Sequence, residues 1–138
     1  MSLDGFPFRT SQGIVLRDLD SFGHVNNAVY LTFVENARIE YLKEVVGAVR
    51  RDEIRNIMAS VSIDFRAEVS YEDELEIGVR CERIGSKSFR LAYRMVRADG
   101  EVAVDATSTQ VMFDFDRGVA IEVPEDWRRA ISAHDGLG

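Results

Sequence analysis

Between Arg17 and Arg38 the chain reads RDLDSFGHVNNAVYLTFVENAR, and the residues able to move protons crowd into its first half. Asp18 and Asp20 stand two residues apart, His24 follows, and Asn26 and Asn27 precede a stretch with helical apolar spacing. A carboxylate or an imidazole can take a proton from water, or attack an electrophilic carbon directly. The first N–H groups of a helix lack intrahelical partners and carry the positive end of its dipole. They therefore suit an oxygen that gains negative charge. Each residue also has a plainer use. Asp in a loop is a common turn former, Asn commonly caps a helix, and His24 can simply hydrogen-bond at the helix start.

Other chemistries lack their parts. There is no G-x-S-x-G elbow to present a serine nucleophile, and no glycine-rich phosphate loop. His24 and His134 lie far apart and Cys81 is the single cysteine, so neither a metal centre nor an internal disulfide is expected. No resident cofactor is expected either. A net charge of −7 argues against nucleic acid and anionic membrane, which need a basic footprint. No run approaches the roughly 18 apolar residues of a membrane span. MSLDGFPFRT has no basic region followed by an apolar run, so a cytoplasmic protein is expected.

The elements that must position these groups follow from period. Gly13–Arg17 reads as a short first strand. Across Ala28–Val46, Tyr30, Phe33, Val34, Ala37, Tyr41 and Val45 recur at spacings of three and four, the stripe of a long helix. Asn26 or Asn27 can cap its start, and Gly47 suits the position just past its end. From Ile57 the period becomes two. Ile57, Ala59, Val61, Ile63, Phe65, Ala67 and Val69 alternate with a polar set broken only by Met58, which predicts one long half-buried strand. Turns at Tyr71–Asp73, Gly85–Lys87 and Asp99–Gly100 separate further strands through Leu75–Cys81, Phe89–Met95 and Glu101–Phe115. Asp116–Gly118 leads to a short return over Val119–Val123, and Pro124 opens a terminal helix holding Trp127 and Ile131. Short connections predict sequential strands as neighbours. One long helix and one amphipathic sheet predict an α+β fold in which the antiparallel sheet wraps the helix, the hotdog architecture, as one domain over residues 1–138.

On these residues the chain resembles the 4-hydroxybenzoyl-CoA thioesterase family of hotdog proteins. The resemblance rests on Asp20-x-x-Gly23, His24-Val25-Asn26-Asn27, Tyr30, Glu35 and Arg38. It extends to Tyr71-x-Asp73-x-Leu75 and Lys87-Ser88-Phe89. It implies that Asp20 attacks the thioester or activates water, while the backbone N–H of Asn27 polarises the carbonyl. Asp18 would then be a neighbouring carboxylate. His24 is a candidate catalytic residue because acyl-carrier-protein thioesterases of this fold share the H-V-N-N sequence; where they carry Asn two residues earlier, this chain has Phe22. Gly23, Asn26, Tyr30 and Glu35 would line the substrate site, with a link to Arg38 the plainer role for Glu35. Arg83, Lys87 and Ser88 would meet the coenzyme A nucleotide, although Gly85 and Ser86 stand where relatives gather basic residues.

The expected activity is hydrolysis of a small or medium acyl-coenzyme A. An acyl-carrier-protein thioesterase and a non-catalytic acyl-CoA binder are the alternatives. Long strands leave edges that need cover, and the resemblance implies a homodimer or tetramer with each site at a subunit boundary.

Overall fold

In the computed structural model, which describes residues 2–137, the helical period becomes α1 (Val29–Val46) and the two-residue period becomes a sheet. Its strands are β1 (Phe8–Gln12), β2 (Asn56–Phe65), β3 (Leu75–Ile84), β4 (Ser88–Val96), β5 (Val102–Asp114) and β6 (Val119–Ala120). The terminal helix is α2 (Glu125–Asp135). The antiparallel order is β1-β3-β4-β5-β2, with β6 against β5. The sheet curls about α1 as the hotdog fold requires. Tyr30, Phe33, Val34, Ala37, Tyr41 and Leu42 of α1 are buried against Leu75, Ile77 and Val79 of β3 and their neighbours on β4 and β5. α1 begins one residue later than its spacing predicts, and Gly47 ends it in the left-handed region at φ 71°.

The first strand is misplaced by the sequence reading. It is Phe8–Gln12, paired with Leu75–Val79 of β3, whereas Gly13–Val15 has no regular structure and Leu16–Asp18 forms a 3-10 turn. Phe8 sits edge-on against the buried Tyr41 of α1, a long-range contact that residues 13–17 do not make in its place.

A second correction concerns neighbours. β2 does not pair with β3; it pairs with β5 at the opposite edge. The connection 66–74 is too long for a hairpin and crosses beside the start of α1, where the Val25 N–H donates to the Val69 carbonyl at 2.8 Å. Sequential pairing holds from β3 through β6.

A third correction lies within β2. The register slips between Met58 and Ser60, leaving Ala59 as a bulge. Before the bulge Asn56 and Met58 stand opposite the buried Met112 and Gln110; after it Val61, Ile63 and Phe65 stand opposite Ser108, Ala106 and Val104. Ile57 therefore faces away from the core and Met58 toward it. One inserted residue exchanges the faces of a strand, so the residue that broke the alternation marks the bulge.

The remaining differences are small. The Asp99–Gly100 hairpin turns through three residues, Ala98–Gly100, because the Arg97 N–H pairs with the Glu101 carbonyl at 2.9 Å. β6 is two residues long, not five.

The outer face of the sheet carries the N-terminal segment. Leu3 and Phe6 pack on Ala92, Val96 and Val102, and Arg80 stacks on the Phe6 ring at 4.6 Å. Gly78 makes the approach possible, since a Cβ there would lie 2.7 Å from Phe6.

Candidate active site

The Asp20-x-x-Gly23 sequence is a tight turn. The Gly23 N–H donates to the Asp20 carbonyl at 3.1 Å, and the Asp20 N–H to the His24 carbonyl at 2.8 Å. Gly23 has φ 82°, a left-handed conformation that side chains disfavour, and this fixes the glycine of the motif. The Asp20 side chain closes the turn from inside: its Oδ1 accepts the Phe22 N–H at 2.9 Å and the His24 N–H at 3.2 Å. Oδ2 has no hydrogen-bond partner among the described residues. One carboxylate oxygen thus builds the loop, and the other is left unbonded.

This loop is pinned to its surroundings on both sides. Leu19 bridges Val25, His24 bridges Ser70, and the Asn26 N–H donates to the Asp18 carbonyl at 2.8 Å. The Asp18 side chain turns away and accepts the Val15 N–H at 2.9 Å, so Asp18 shapes the preceding turn. The His24 ring also turns outward, with Nε2 3.1 Å from Glu68 Oε2. Glu68 lies on the crossing connection, which sequence spacing had assigned to a strand. It was missed because no local signal ties it to His24.

Asn26 is the cap. Its Oδ1 accepts the Ala28 N–H at 2.9 Å and its carbonyl accepts the Val29 N–H at 2.9 Å. Asn27 is exposed, and its N–H has no partner among the described residues. This donor stands two residues ahead of α1, on the side of the positive end of the helix dipole. Tyr30 follows, only 2% exposed, packed edge-on against Phe33 and Phe65. Burial first, then the charges of Asp73 and Glu68, push its hydroxyl up to about 12, so it stays protonated.

Glu35 is exposed on α1 and makes no ion pair with Arg38 among the described residues. Arg38 instead reaches under the helix, where its Nη1 donates to Gln110 Oε1 at 3.2 Å. Gln110 is fully buried and continues a chain of polar contacts to Asn56, Ser108 and Tyr93. Sequence reading overlooked this network, although Ser108 and Gln110 at core-facing positions of β5 were its signal.

Arg83, Lys87 and Ser88 do not join the Asp20 loop. Lys87 is exposed in the β3–β4 turn, Ser88 begins β4, and Arg83 stands opposite Arg90 on the outer face. The sheet register puts Ser88 beside Val111 and hence Ile57, at the start of β2. The Asp20 loop lies beyond its end, where Tyr30 touches Phe65. At about 3.3 Å per residue, the two groups are about 25 Å apart along β2.

No group of three or more His, Cys, Asp or Glu side chains arranged to hold a metal occurs among the described residues, and no described helix is long and apolar enough to cross a membrane.

A family model of the thioesterase-like superfamily matches residues 14–131. The long-chain acyl-CoA thioesterase FadM of Escherichia coli (strain K12) is 28% identical over 116 residues, 82% of this chain and 88% of FadM. A thioesterase from Thermus thermophilus, solved in complex with coenzyme A and zinc, is 32% identical with a TM-score of 0.84. The match covers 96% of this chain and 97% of that one. The 4-hydroxybenzoyl-CoA thioesterase of Pseudomonas sp. strain CBS-3 shares the fold, with a TM-score of 0.80 and 24% identity over 89% of this chain and 97% of its own.

Proposed function

The chain belongs to the thioesterase-like superfamily, and from that premise we propose that it hydrolyses an acyl-coenzyme A at the Asp20 loop. One observation carries the reading: Asp20 spends Oδ1 on its own turn and keeps Oδ2 unbonded, close in the chain to the unbonded N–H of Asn27, which stands two residues ahead of α1. Oδ2 takes a proton from water as the water oxygen bonds to the thioester carbon. The carbonyl oxygen becomes an oxyanion held by the Asn27 N–H. The C–S bond then breaks, the carbonyl re-forms, and the thiolate leaves with the proton that Asp20 holds. Direct attack by Asp20 through a mixed anhydride is the other route, and the water route is preferred because it needs no anhydride. Asn26 and Gly23 act by shaping the loop. His24 contributes through its backbone N–H, and its ring pairs with Glu68.

The nucleotide contacts proposed for Arg83, Lys87 and Ser88 require a second copy. β2 is an edge strand ten residues long, with Val61 37% and Phe65 48% exposed on its core-side face. Such an edge calls for cover. Antiparallel pairing of two β2 edges about a dyad reverses one copy against the other. It sets the Asp20 end of each beside the Lys87 end of its partner. The proposed unit is therefore a homodimer, which can pair again as a tetramer.

The test is a panel of acyl-coenzyme A thioesters with free-thiol detection, followed by single turnover in ¹⁸O-water. Coenzyme A release with label in the product acid is the expected result, whereas label in the protein assigns direct attack. Absence of release from every thioester, with acyl-CoA still bound, means that the chain is a binder.

A further inference from the structure

Residues 2–7 cross the outer face of the sheet, away from α1 and the Asp20 loop. Leu3 and Phe6 are buried there with Ala92, Val96 and Val102, in an apolar cluster separate from the core around α1. The sheet is shaped to seat them. Gly78 leaves room where a Cβ would lie 2.7 Å from Phe6, and the Arg80 guanidinium stacks on the Phe6 ring at 4.6 Å.

The segment is tied down without joining the sheet. Its carbonyls accept from arginines of the strands: Arg94 reaches Ser2 at 3.2 Å, Arg9 reaches Leu3 at 2.9 Å and Phe6 at 3.1 Å, and Arg80 reaches Gly5 at 3.2 Å. Strand pairing begins only at Phe8. Two cavities border the segment. One of about 540 Å³ lies between Ser2, Leu3 and the β4–β5 turn, and one of about 250 Å³ between Asp4, Phe6 and the row Asp64, Arg94 and Asp105. A segment held by side-chain bonds at open margins, with no strand ladder, belongs to the part of a fold that opens at low cost.

The surface beneath it suits a second copy of this chain. Ala92, Val96 and Val102 make an apolar centre. Around it, Arg94 pairs with Asp105 at 2.7 Å and Arg90 with Glu82 at 3.0 Å, while Arg80 and Asp64 share the same face. Acidic groups do not outnumber basic ones here, although the chain carries a net charge of −7. Two copies that repel elsewhere therefore do not repel at this face. A patch bearing both signs about an apolar centre is matched by the same patch turned through a dyad.

We propose that residues 2–7 are a strap that keeps this face closed to a second copy. With the strap seated, the chain is left its β2 edge for assembly; with the strap lifted, two such assemblies join through the backs of their sheets. The proposal does not depend on the hydrolase reading.

The experiment uses the whole chain. Gly78→Val fills the seat and Phe6→Ser removes its occupant, and both leave the Asp20 loop and the β2 edge untouched. Thermolysin, which cuts ahead of bulky apolar residues, reports the strap: cleavage ahead of Leu3 or Phe6 should be slow in wild type and fast in the variants. Sedimentation velocity at micromolar concentration should then give both variants a particle of about twice the wild-type mass. Adding Val96→Lys to either should restore the wild-type mass, because it puts an unpaired charge at the centre of the new contact. A freed strap with the wild-type mass overturns the proposal. So does a doubled mass that Val96→Lys leaves unchanged, which puts the new contact elsewhere. Protection from thermolysin in both variants overturns it too, since the segment is then a fixed part of the fold. If circular dichroism shows one variant unfolded, the other is read alone; loss of the fold in both makes the segment part of the core and overturns the strap.

Discussion

Replacing Asp20 by Asn and by Ala separates its part in the turn from its proposed part in the chemistry. Asn keeps an oxygen in the place of Oδ1, so the Phe22 and His24 N–H groups, at 2.9 and 3.2 Å, still find an acceptor. It has lost the negative charge and the ability to take a proton. Ala loses the acceptor as well. The two bonds resemble those of a side-chain cap, whose removal costs about 0.5–2 kcal/mol. The turn is half-exposed and water can replace part of them, so Asp20→Ala should cost about 1–2 kcal/mol and Asp20→Asn under about 1. At roughly 4 °C per kcal/mol for a chain of this size, Asp20→Ala melts about 4–8 °C below wild type and Asp20→Asn within about 4 °C of it. Both should lose kcat by about 10²-fold or more, the scale of a positioned proton acceptor. Thermal melts and steady-state coenzyme A release are measured on the same preparations. Equal destabilisation by both variants would refute the turn argument. Wild-type kcat in well-folded Asp20→Asn would refute the chemical one.

Three further outcomes follow from features away from the loop. Gly78→Ala puts a Cβ 2.7 Å from Phe6 and should cost about 1–3 kcal/mol in denaturant melts; a neutral result means that the N-terminal segment lifts off freely. For Asp105, burial works to raise the carboxyl, but Arg94 and Arg66 outweigh it and hold it below its ordinary 3.8. A depressed folded value gives stability that is present above pH 3.8 and lost as pH falls through the folded value. Asp105→Asn should therefore be less stable than wild type at neutral pH and converge on it in strong acid, and parallel stability–pH curves would contradict this. Burial, partly opposed by backbone hydrogen bonding at Arg83, pushes the Cys81 thiol up to about 12, so thiol reagents at neutral pH should label it only on unfolding; rapid stoichiometric labelling of native protein would reverse that view.

What could be read from the sequence was what local rules control. The stripe from Tyr30 to Tyr41 found the helix, because burial of one face at a fixed period leaves few alternatives. The turn glycines and Pro124 found the strand ends and α2 for the same reason. The Asp20–Gly23 turn was legible as a motif, whereas the division between its two oxygens needed the Phe22 and His24 N–H directions. Non-local choices were hidden. Nothing within residues 56–74 says that β2 joins β5, and nothing near Phe8 says that it will meet Tyr41. The separation of Lys87 from Asp20 is likewise set by strand order, which alternation does not encode.

That strand order has a consequence for how the chain is made. Asn56 pairs with Met112 and Phe65 with Val104, so β2 must wait for 56 residues at one end and 39 at the other before its partner exists. At the roughly 5–20 residues per second of protein synthesis, that delay is on the order of several seconds. During it α1 can coil and the β3–β4 hairpin can close, since both use neighbours already synthesised. The strand carrying Ile57, Val61 and Phe65 meanwhile has no neighbour on either side. Ser60, Ser62 and Asp64 punctuate it, and a charge late in such a strand discourages pairing with the same segment of another nascent chain. Asp64, which ends up opposite the like-charged Asp105, thus has a use before the fold is complete that the finished sheet does not reveal.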